Sequence, residues 1–151
     1  MNKYMKTAIR EAEKGIAVND GGPFGAVVVK DGKIVAKGHN RVVVSHDPTA
    51  HGEIVAIRRA SKKLGTFDLS GCELYSTAEP CPMCLWAIYW ANIGNVYYGC
   101  TVADTEKIGF RDMEFYKMSK KALQQKMTMI DRDECLSLFD QYNRLEAKTN
   151  Y

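Results

Sequence analysis

The sequence predicts an α/β fold in three layers, in which a mixed central sheet of about five strands lies between helices on both faces. Two patterns carry this prediction. Asp31-Gly32 lies between two β-rich runs, which is a strong signal for an antiparallel hairpin. Later in the chain a strand, a helix and a strand follow one another, and this order requires a crossover that makes the two strands parallel. The length of 151 residues and a hydrophobic content of 46% fit a single domain over residues 1–151.

The first half of the chain predicts one helix followed by the hairpin. Apolar residues recur at helical spacing from Met5 to Ile16, and the run Asp-Gly-Gly-Pro at residues 20–23 ends the pattern. We therefore expect a helix over 2–17, strands over 24–30 and 33–38, and a polar loop over 39–47.

The second half predicts strands that alternate with helices. Ile54, Ile57 and Leu64 recur at helical spacing from Pro48 onward, and Gly65 ends that helix. After this helix, segments with the composition of strands alternate with segments that have the apolar spacing of helices. The predicted elements are a strand over 72–78, a helix over 82–93, a strand over 95–100, a last strand over 127–130 and a last helix over 133–148.

Composition bounds the location and the partners of the protein. The net charge of +3, with both signs interspersed, gives no strong argument for a nucleic acid or a membrane surface as partner. No run approaches 18 apolar residues, and the N-terminal segment lacks the apolar core of a signal peptide, so we expect a cytoplasmic protein. Five cysteines in a chain with an ample core fit reduced thiols and metal ligation better than disulfides.

Three residues have the chemistry and the spacing of zinc ligands. Zinc prefers thiolate and imidazole in tetrahedral geometry, and His51, Cys81 and Cys84 supply that set. Pro82 fits the first position of a helix, so the two cysteines lie one turn apart at a helix N-terminus, where the dipole favours thiolates. We expect His51 in the first turn of another helix, behind an N-cap at residue 47 or 49.

Glu53 is the candidate catalytic residue. Residues two apart in a regular helix point in nearly opposite directions, but at a helix N-terminus His51 can hold the metal while Glu53 reaches a bound water. A catalytic site keeps the fourth position of the zinc for that water, and the carboxylate can take its proton. The alternatives are a redox-active Cys-x-x-Cys pair and a structural zinc closed by a fourth ligand, for which the candidates are Cys72, Cys100, His39 and His46.

The motif His51-Gly-Glu53 followed by Pro80-Cys81-Pro-Met-Cys84 resembles the signature of the zinc-dependent nucleoside and nucleobase deaminases. With "GGPFGAVVVKDGKIVAKGHN" and "DPTAHGE", the resemblance covers residues from about 4 to 117. It implies the cytidine-deaminase-like fold, bound Zn²⁺ and an oligomer, which we expect to be a homodimer. Within the superfamily, "CLWAIYWANIGNVYYG" and "IGFRDMEFY" are most similar to bacterial guanine deaminases.

That resemblance implies a reaction of purine metabolism, in which a zinc-activated water attacks carbon 2 of guanine and Glu53 shuttles a proton, giving xanthine and ammonia. Asn40 matches the position that holds the polar edge of the base, Phe24 packs against the ring, and Asp112 accepts from the amino group. Asn40 has an alternative role as a turn residue, Phe24 as a core residue, and Asp112 as a helix cap or a solvated loop residue.

Tyr151 ends a tail that follows the last predicted helix, and we hypothesise that it folds over the active site; the alternative is a frayed terminus.

More than one function is compatible with the sequence. A tRNA adenosine deaminase shares the zinc motif but needs many phosphate contacts, and the C-terminal segment contains no run of arginines. The sequence also leaves open a cytosine deaminase and a binding module without catalysis that zinc stabilises.

Two residues depart from the family pattern. Gly52 replaces the usual alanine and is expected to weaken helix propensity by roughly 1 kcal/mol, while Trp86 replaces a residue that is small in many relatives.

Overall fold

The computed structural model describes residues 1–149, which divide into two compact units. The first unit runs from Met1 to Tyr116, and the second begins at Lys117. Within the described residues no helix is long and apolar enough to cross a membrane. The expectation of one domain over 1–151 stays a prediction.

The first unit contains the sheet and most of the predicted elements. Its helices and strands are, in chain order, α1 (Lys3–Ala17), β1 (Gly25–Lys30), β2 (Lys33–His39), α2 (Val42–Ser45), α3 (Gly52–Leu64), β3 (Cys72–Ala78), α4 (Pro82–Trp90), β4 (Asn95–Cys100), α5 (Val102–Lys107) and α6 (Asp112–Tyr116).

The sheet of the first unit is mixed, as predicted. Its strands lie in the order β2-β1-β3-β4; β1 pairs antiparallel with β2 and β3, and β3 pairs parallel with β4. Asp31 and Gly32 both have positive φ, 49° and 71°, which is the backbone that the turn of a two-residue hairpin requires. The helix α4 provides the crossover between the parallel strands.

Helices cover both faces of this sheet and make three layers. Val27 and Val29 of β1 pack against Ala8 of α1 on one face. Ala26 and Val28 point to the opposite face, where a second cluster includes residues of α3 and α4. Because β1 is buried on both sides, its sequence is a continuous apolar run rather than an alternating one.

The segment predicted as a polar loop over 39–47 contains the short helix α2, so that prediction is wrong in part. The first amides of α2 find acceptors outside the helix: Val42 N donates to Asn40 Oδ1, and the amides of Val43 and Val44 donate to the carbonyl of Asp20. Acceptors of this kind satisfy a helix N-terminus, and periodicity does not reveal the carbonyl of Asp20 because it belongs to a distant segment.

The second unit contains α7 (Lys120–Gln124) and α8 (Arg132–Asn143), and nearly all of its described side chains are exposed. The last strand predicted over 127–130 is wrong, because none of the described residues pairs with this segment. An apolar tetrapeptide becomes a strand only beside another strand edge. The observed sheet therefore has four strands instead of about five. The last helix ends at Asn143, five residues before the predicted end.

Candidate metal centre

His51 occupies the position just before a helix, which differs from the predicted first turn. The helix α3 begins at Gly52, and His51 is its N-cap with an extended backbone. The predicted N-caps at 47 and 49 are therefore wrong. Asp47 Oδ1 instead accepts the amide of Thr49 at 2.8 Å and its hydroxyl at 2.7 Å, which satisfies Asp47 within a local turn ahead of the helix.

Cys81 takes the same place before α4. It is the N-cap with an extended backbone, and Pro82 occupies the first turn as predicted. Cys84 lies one turn into the helix and is completely buried. Two helix N-termini therefore carry the three candidate ligands, and both point their positive ends towards the same volume.

The three ligand atoms converge. His51 Nδ1 lies 3.6 Å from Cys81 Sγ and 3.5 Å from Cys84 Sγ. In a tetrahedral zinc site with ordinary bond lengths, nitrogen and sulfur are about 3.5 Å apart. Among the residues that the structure describes, the group of candidate ligands here consists of His51, Cys81 and Cys84, with no fourth protein ligand. The donor set therefore fits a zinc ion that keeps one coordination position open.

The charges of the site favour ligation. A hydrogen bond with Cys84 lowers the pKa of Cys81 to about 4, and the neighbouring His51 contributes in the same direction. The pKa of Cys84 is raised because it shares its proton with Cys81 and is buried. The hydrogen bond to Cys81 raises the pKa of His51. The cysteine pair therefore carries a thiolate at neutral pH, which is the form that binds a metal.

Glu53 lies beside these ligands and is 5% exposed. Cys84 Sγ is 3.6 Å from Glu53 Oε2, while the hydroxyl of Ser76 donates to Glu53 Oε1 at 3.1 Å. Burial raises the pKa of Glu53, and the negative charge of Cys81 acts in the same direction. A carboxyl with a raised pKa holds a proton more readily than an exposed carboxyl does, which favours its use as a general acid after it has acted as a base.

Sequence reasoning missed Ser76, the partner of Glu53. Ser76 is a polar residue at a buried position of β3, 1% exposed and flanked by Tyr75 and Thr77. A hydroxyl at a buried position of a strand needs a hydrogen-bond partner. A polar residue within a predicted buried strand could have indicated that Ser76 has a hydrogen-bond partner, but the sequence does not identify that partner as Glu53.

Asn40 and Phe24 lie next to the helix that follows His51. The backbone amide of Asn40 donates a hydrogen bond to the backbone carbonyl of Phe24 at 2.8 Å, and a Cβ added at Gly52 would lie 3.0 Å from the same carbonyl oxygen. Asn40 is 3% exposed, and Phe24 is half-buried with its ring edge-on to Phe110, 4.6 Å between centroids. The end of β2 and the start of β1 thus border the metal centre.

Asp112 is the first residue of α6 and is half-buried. Burial raises its pKa, the charge of Cys81 raises it further, and His51 opposes the shift, so Asp112 lies within electrostatic range of the metal centre. Sequence reasoning missed Tyr116 at the other end of this helix. Its hydroxyl donates to the carbonyl of Pro80 at 2.5 Å, which ties α6 to the residue before Cys81.

Comparison with known proteins identifies the family. The zinc-binding region of cytidine and deoxycytidylate deaminases matches residues 1–100. The guanine deaminase of Bacillus subtilis is 43% identical over 151 residues, which cover 98% of this chain and 97% of that protein. This chain belongs to the zinc-dependent deaminase family. The cofactor of the family, zinc, agrees with the donor set of His51, Cys81 and Cys84.

Two solved structures of deaminases are similar to this chain. The crystal structure of the B. subtilis guanine deaminase superimposes with a TM-score of 0.93 and covers 100% of this chain and 99% of its own. A second relative, solved in complex with 8-azaguanine, has a TM-score of 0.71 at 34% identity and covers 93% of this chain and 83% of its own. The tRNA-specific adenosine deaminase of Aquifex aeolicus is 44% identical over 95 residues, 63% of this chain and 62% of that protein. The cytidine-deaminase-like fold is confirmed.

Tyr151, the remaining candidate site residue, lies outside the described residues 1–149.

Proposed function

We propose that this deaminase converts guanine and water to xanthine and ammonia. The observation that carries the proposal is the position of Glu53, whose buried carboxylate lies beside a convergent set of one imidazole and two thiols. A purely structural zinc site has no use for such a carboxylate. The choice of guanine is supported by the similarity to the B. subtilis guanine deaminase, which extends over nearly the whole length of both chains.

We assign metal binding to His51, Cys81 and Cys84 and proton transfer to Glu53. A zinc ion held by these three residues would lower the pKa of a water molecule and so supply the nucleophile at neutral pH. Glu53 accepts the proton of that water and delivers it to a ring nitrogen of the base, and it then delivers the second water proton to the departing amino group. A carbon–oxygen bond forms at carbon 2, the carbon–nitrogen bond breaks, and ammonia leaves.

The structure gives Glu53 a fixed orientation for this work. The hydroxyl of Ser76 holds Oε1 at 3.1 Å, which directs Oε2 towards Cys84 and the metal centre. Because the carboxylate is almost completely buried, bulk water does not compete for its proton. The same carboxylate can therefore act first as base and then as acid at nearly the same place.

We propose that three residues bind the purine. The side chain of Asn40 offers the NH₂ group of its amide to the polar edge of the base, since its oxygen accepts a hydrogen bond from the backbone amide of Val42. The ring of Phe24, half-buried beside Asn40, packs against the face of the base. Asp112 accepts a hydrogen bond from the amino group, and this assignment is supported by its position on α6, the helix that the hydroxyl of Tyr116 ties to Pro80, the residue before Cys81.

The assay for this function is ammonia release by the zinc-loaded protein. The substrates are guanine, cytosine, adenine and an adenosine-bearing tRNA stem-loop, and a reaction without enzyme serves as the blank. We expect release with guanine that exceeds release with each other substrate by at least about tenfold in kcat/KM, a difference of about 1.4 kcal/mol in transition-state binding. Activity confined to cytosine or to the stem-loop would refute guanine as the substrate.

A tRNA adenosine deaminase is the second candidate, because the A. aeolicus enzyme is 44% identical over the part that it matches. Phosphate contacts make polyanion binding strongly dependent on salt, whereas binding of a neutral base is not. The stem-loop assay is therefore repeated at low and at roughly physiological salt. Deamination of the stem-loop that persists at the higher salt would support the tRNA hypothesis, whereas activity that appears only at low salt would indicate weak nonspecific binding to this slightly basic protein.

We also propose that the protein is a cytoplasmic homodimer. Trp86, Tyr89 and Trp90 of α4 are each about two-thirds exposed, at 64%, 65% and 66%, and large aromatic side chains gathered on one helix are typical of protein interfaces. All five cysteines are free thiols, in agreement with a reducing compartment. Sedimentation of the wild-type protein beside a Trp86→Glu variant tests the dimer, and a wild-type monomer at micromolar concentration would refute it.

A further inference from the structure

The residues on either side of Asn40 contact one and the same oxygen atom. Asp20 Oδ2 lies 2.8 Å from His39 Nε2 and 2.7 Å from Arg41 Nη1. Asp20 belongs to the segment between α1 and β1, far from Asn40 along the chain, and it is 8% exposed. Two charge-assisted hydrogen bonds from neighbours of Asn40 therefore meet at a buried carboxylate.

The backbone of Asp20 also forms hydrogen bonds with the segment that contains Asn40, over residues 39–44. Its carbonyl accepts the amides of Val43 and Val44, both at 3.1 Å, at the start of α2. Its own amide donates to the carbonyl of Gly15 at 2.9 Å, which anchors Asp20 to the end of α1. One residue thus connects α1 to the chain before and after Asn40.

His39 is fixed from its other side as well. Its Nδ1 is buried, forms no hydrogen bond within the described residues, and lies 3.9 Å from Glu11 Oε2 on α1. The imidazole ring also fills the space above Gly15, where an added Cβ would lie 2.7 Å from His39 Cδ2. The side chain that precedes Asn40 therefore has little freedom to move.

The side-chain oxygen of Asn40 is engaged with the protein. Asn40 Oδ1 accepts the amide of Val42 at 3.1 Å, and it occupies space above Gly21 where a Cβ would come within 2.1 Å. Since the oxygen is engaged with the protein, the NH₂ group is the part of the amide that remains to donate to a base. A shift of the segment over 39–44 would move this donor, and a hydrogen bond is weakened by small changes in distance and angle.

We infer that Asp20 is a positioning residue for substrate recognition: through His39, Arg41 and the start of α2 it holds Asn40 in the orientation that binds the base. This inference rests on the proposed role of Asn40 in purine binding. Asp20 acts on binding and not on proton transfer, since its contacts are with the segment around Asn40 and not with Glu53 or the metal ligands. Its loss should therefore raise KM and leave kcat nearly unchanged.

The test is a double-mutant cycle on the zinc-loaded protein. Asp20→Asn should raise KM for guanine by about tenfold, keep kcat within about threefold, and keep its zinc. In an Asn40→Ala background the same substitution should change KM by less than about twofold, because Asn40 is then no longer present to be positioned. Equal effects in both backgrounds, or a fall in kcat without a change in KM, would overturn the inference.

The control is Asp104→Asn. Asp104 also pairs with a cation, Lys107, and also takes part in a helix cap in the same unit, but its side chain is about half exposed and its hydrogen bonds stay within α5 and its cap. Its kinetics should match those of the wild type. If Asp20→Asn does not fold, Arg41→Gln removes one arm of the same contact and should raise KM by about threefold, with unchanged KM counting against the inference.

A measurement without substrate separates this inference from the proposed function. Hydrogen exchange of the amides of Asn40, Val42, Val43 and Val44 should become at least about tenfold faster in Asp20→Asn than in Asp104→Asn. Unchanged exchange would overturn the positioning role whatever the substrate is. Faster exchange in a protein that does not deaminate guanine would instead refute guanine as the substrate, and the KM cycle would then be measured with whichever base the wild type deaminates.

Discussion

Replacing Glu53 by glutamine separates the chemistry of the site from its architecture. The amide of glutamine has nearly the same shape as the carboxylate. Its oxygen can still accept the hydrogen bond that the hydroxyl of Ser76 donates to Glu53 Oε1 at 3.1 Å. What it cannot do is take up and return a proton. We therefore expect zinc content and fold to persist while turnover is lost.

The expected fall in kcat follows from the role of Glu53 in proton transfer, and the expected change in stability follows from its hydrogen bond with Ser76. Proton transfer by a positioned side chain contributes about 10²–10⁴-fold, so kcat should fall by at least about a hundredfold, which is about 2.7 kcal/mol. The free energy of unfolding should change by less than about 1 kcal/mol, because the Ser76 hydrogen bond is kept and a buried charge is exchanged for a neutral group. Loss of activity without loss of stability is the expected combination.

The assay combines ammonia release from guanine, metal analysis and thermal unfolding on the same preparations. Glu73→Gln is the control: Glu73 is a partly buried glutamate of the same unit, on the strand that carries Ser76, and it accepts a hydrogen bond from Tyr75 away from the metal centre. Turnover by Glu53→Gln within about tenfold of the wild type would refute the proton shuttle. Loss of zinc in that variant would show that Glu53 acts on the metal site itself.

Three further substitutions test the parts around Glu53. Cys84→Ala should lose zinc and activity together, as measured by metal analysis and ammonia release, and full activity without zinc would remove the metal from the mechanism. Ser76→Ala should keep zinc but lower kcat by about tenfold, because Oε1 of Glu53 loses its hydrogen bond; an unchanged kcat would mean that burial alone orients the carboxylate. Tyr116→Phe removes the hydrogen bond to the carbonyl of Pro80 and should lower kcat/KM for guanine by about fivefold with zinc retained, whereas unchanged kinetics would show that α6 needs no such tie.

The metal site was predictable because its ligands are recognisable by type and spacing. One histidine, a Cys-x-x-Cys pair and a proline at the first helical position suffice to indicate two helix N-termini around a metal. The order of strands and helices was predictable for a similar reason, since the hairpin turn at Asp31-Gly32 and the crossover helix are local patterns. Such features depend on near neighbours in the sequence.

The supports of the site were not predictable, because they join segments that are distant in the chain. Ser76 lies 23 residues from Glu53, and the hydroxyl of Tyr116 reaches Pro80 over 36 residues. The failed strand over 127–130 has the same cause, because strand formation depends on a partner edge that composition does not reveal. Hydrophobic pattern therefore indicates elements, whereas the polar contacts that orient catalytic groups depend on tertiary structure.

Gly52 shows how such a contact changes the meaning of a residue. Helix propensity alone suggests that glycine loosens Glu53, yet Gly52 is the first residue of α3, where the cost of glycine is smaller than in a helix interior. At this position an added Cβ would lie 3.0 Å from the carbonyl oxygen of Phe24, which already accepts the amide of Asn40. Glycine therefore allows the helix that carries Glu53 to approach the strand ends that carry the proposed purine-binding residues. The order of Glu53 itself comes from burial and from Ser76, and not from the propensity of its neighbour.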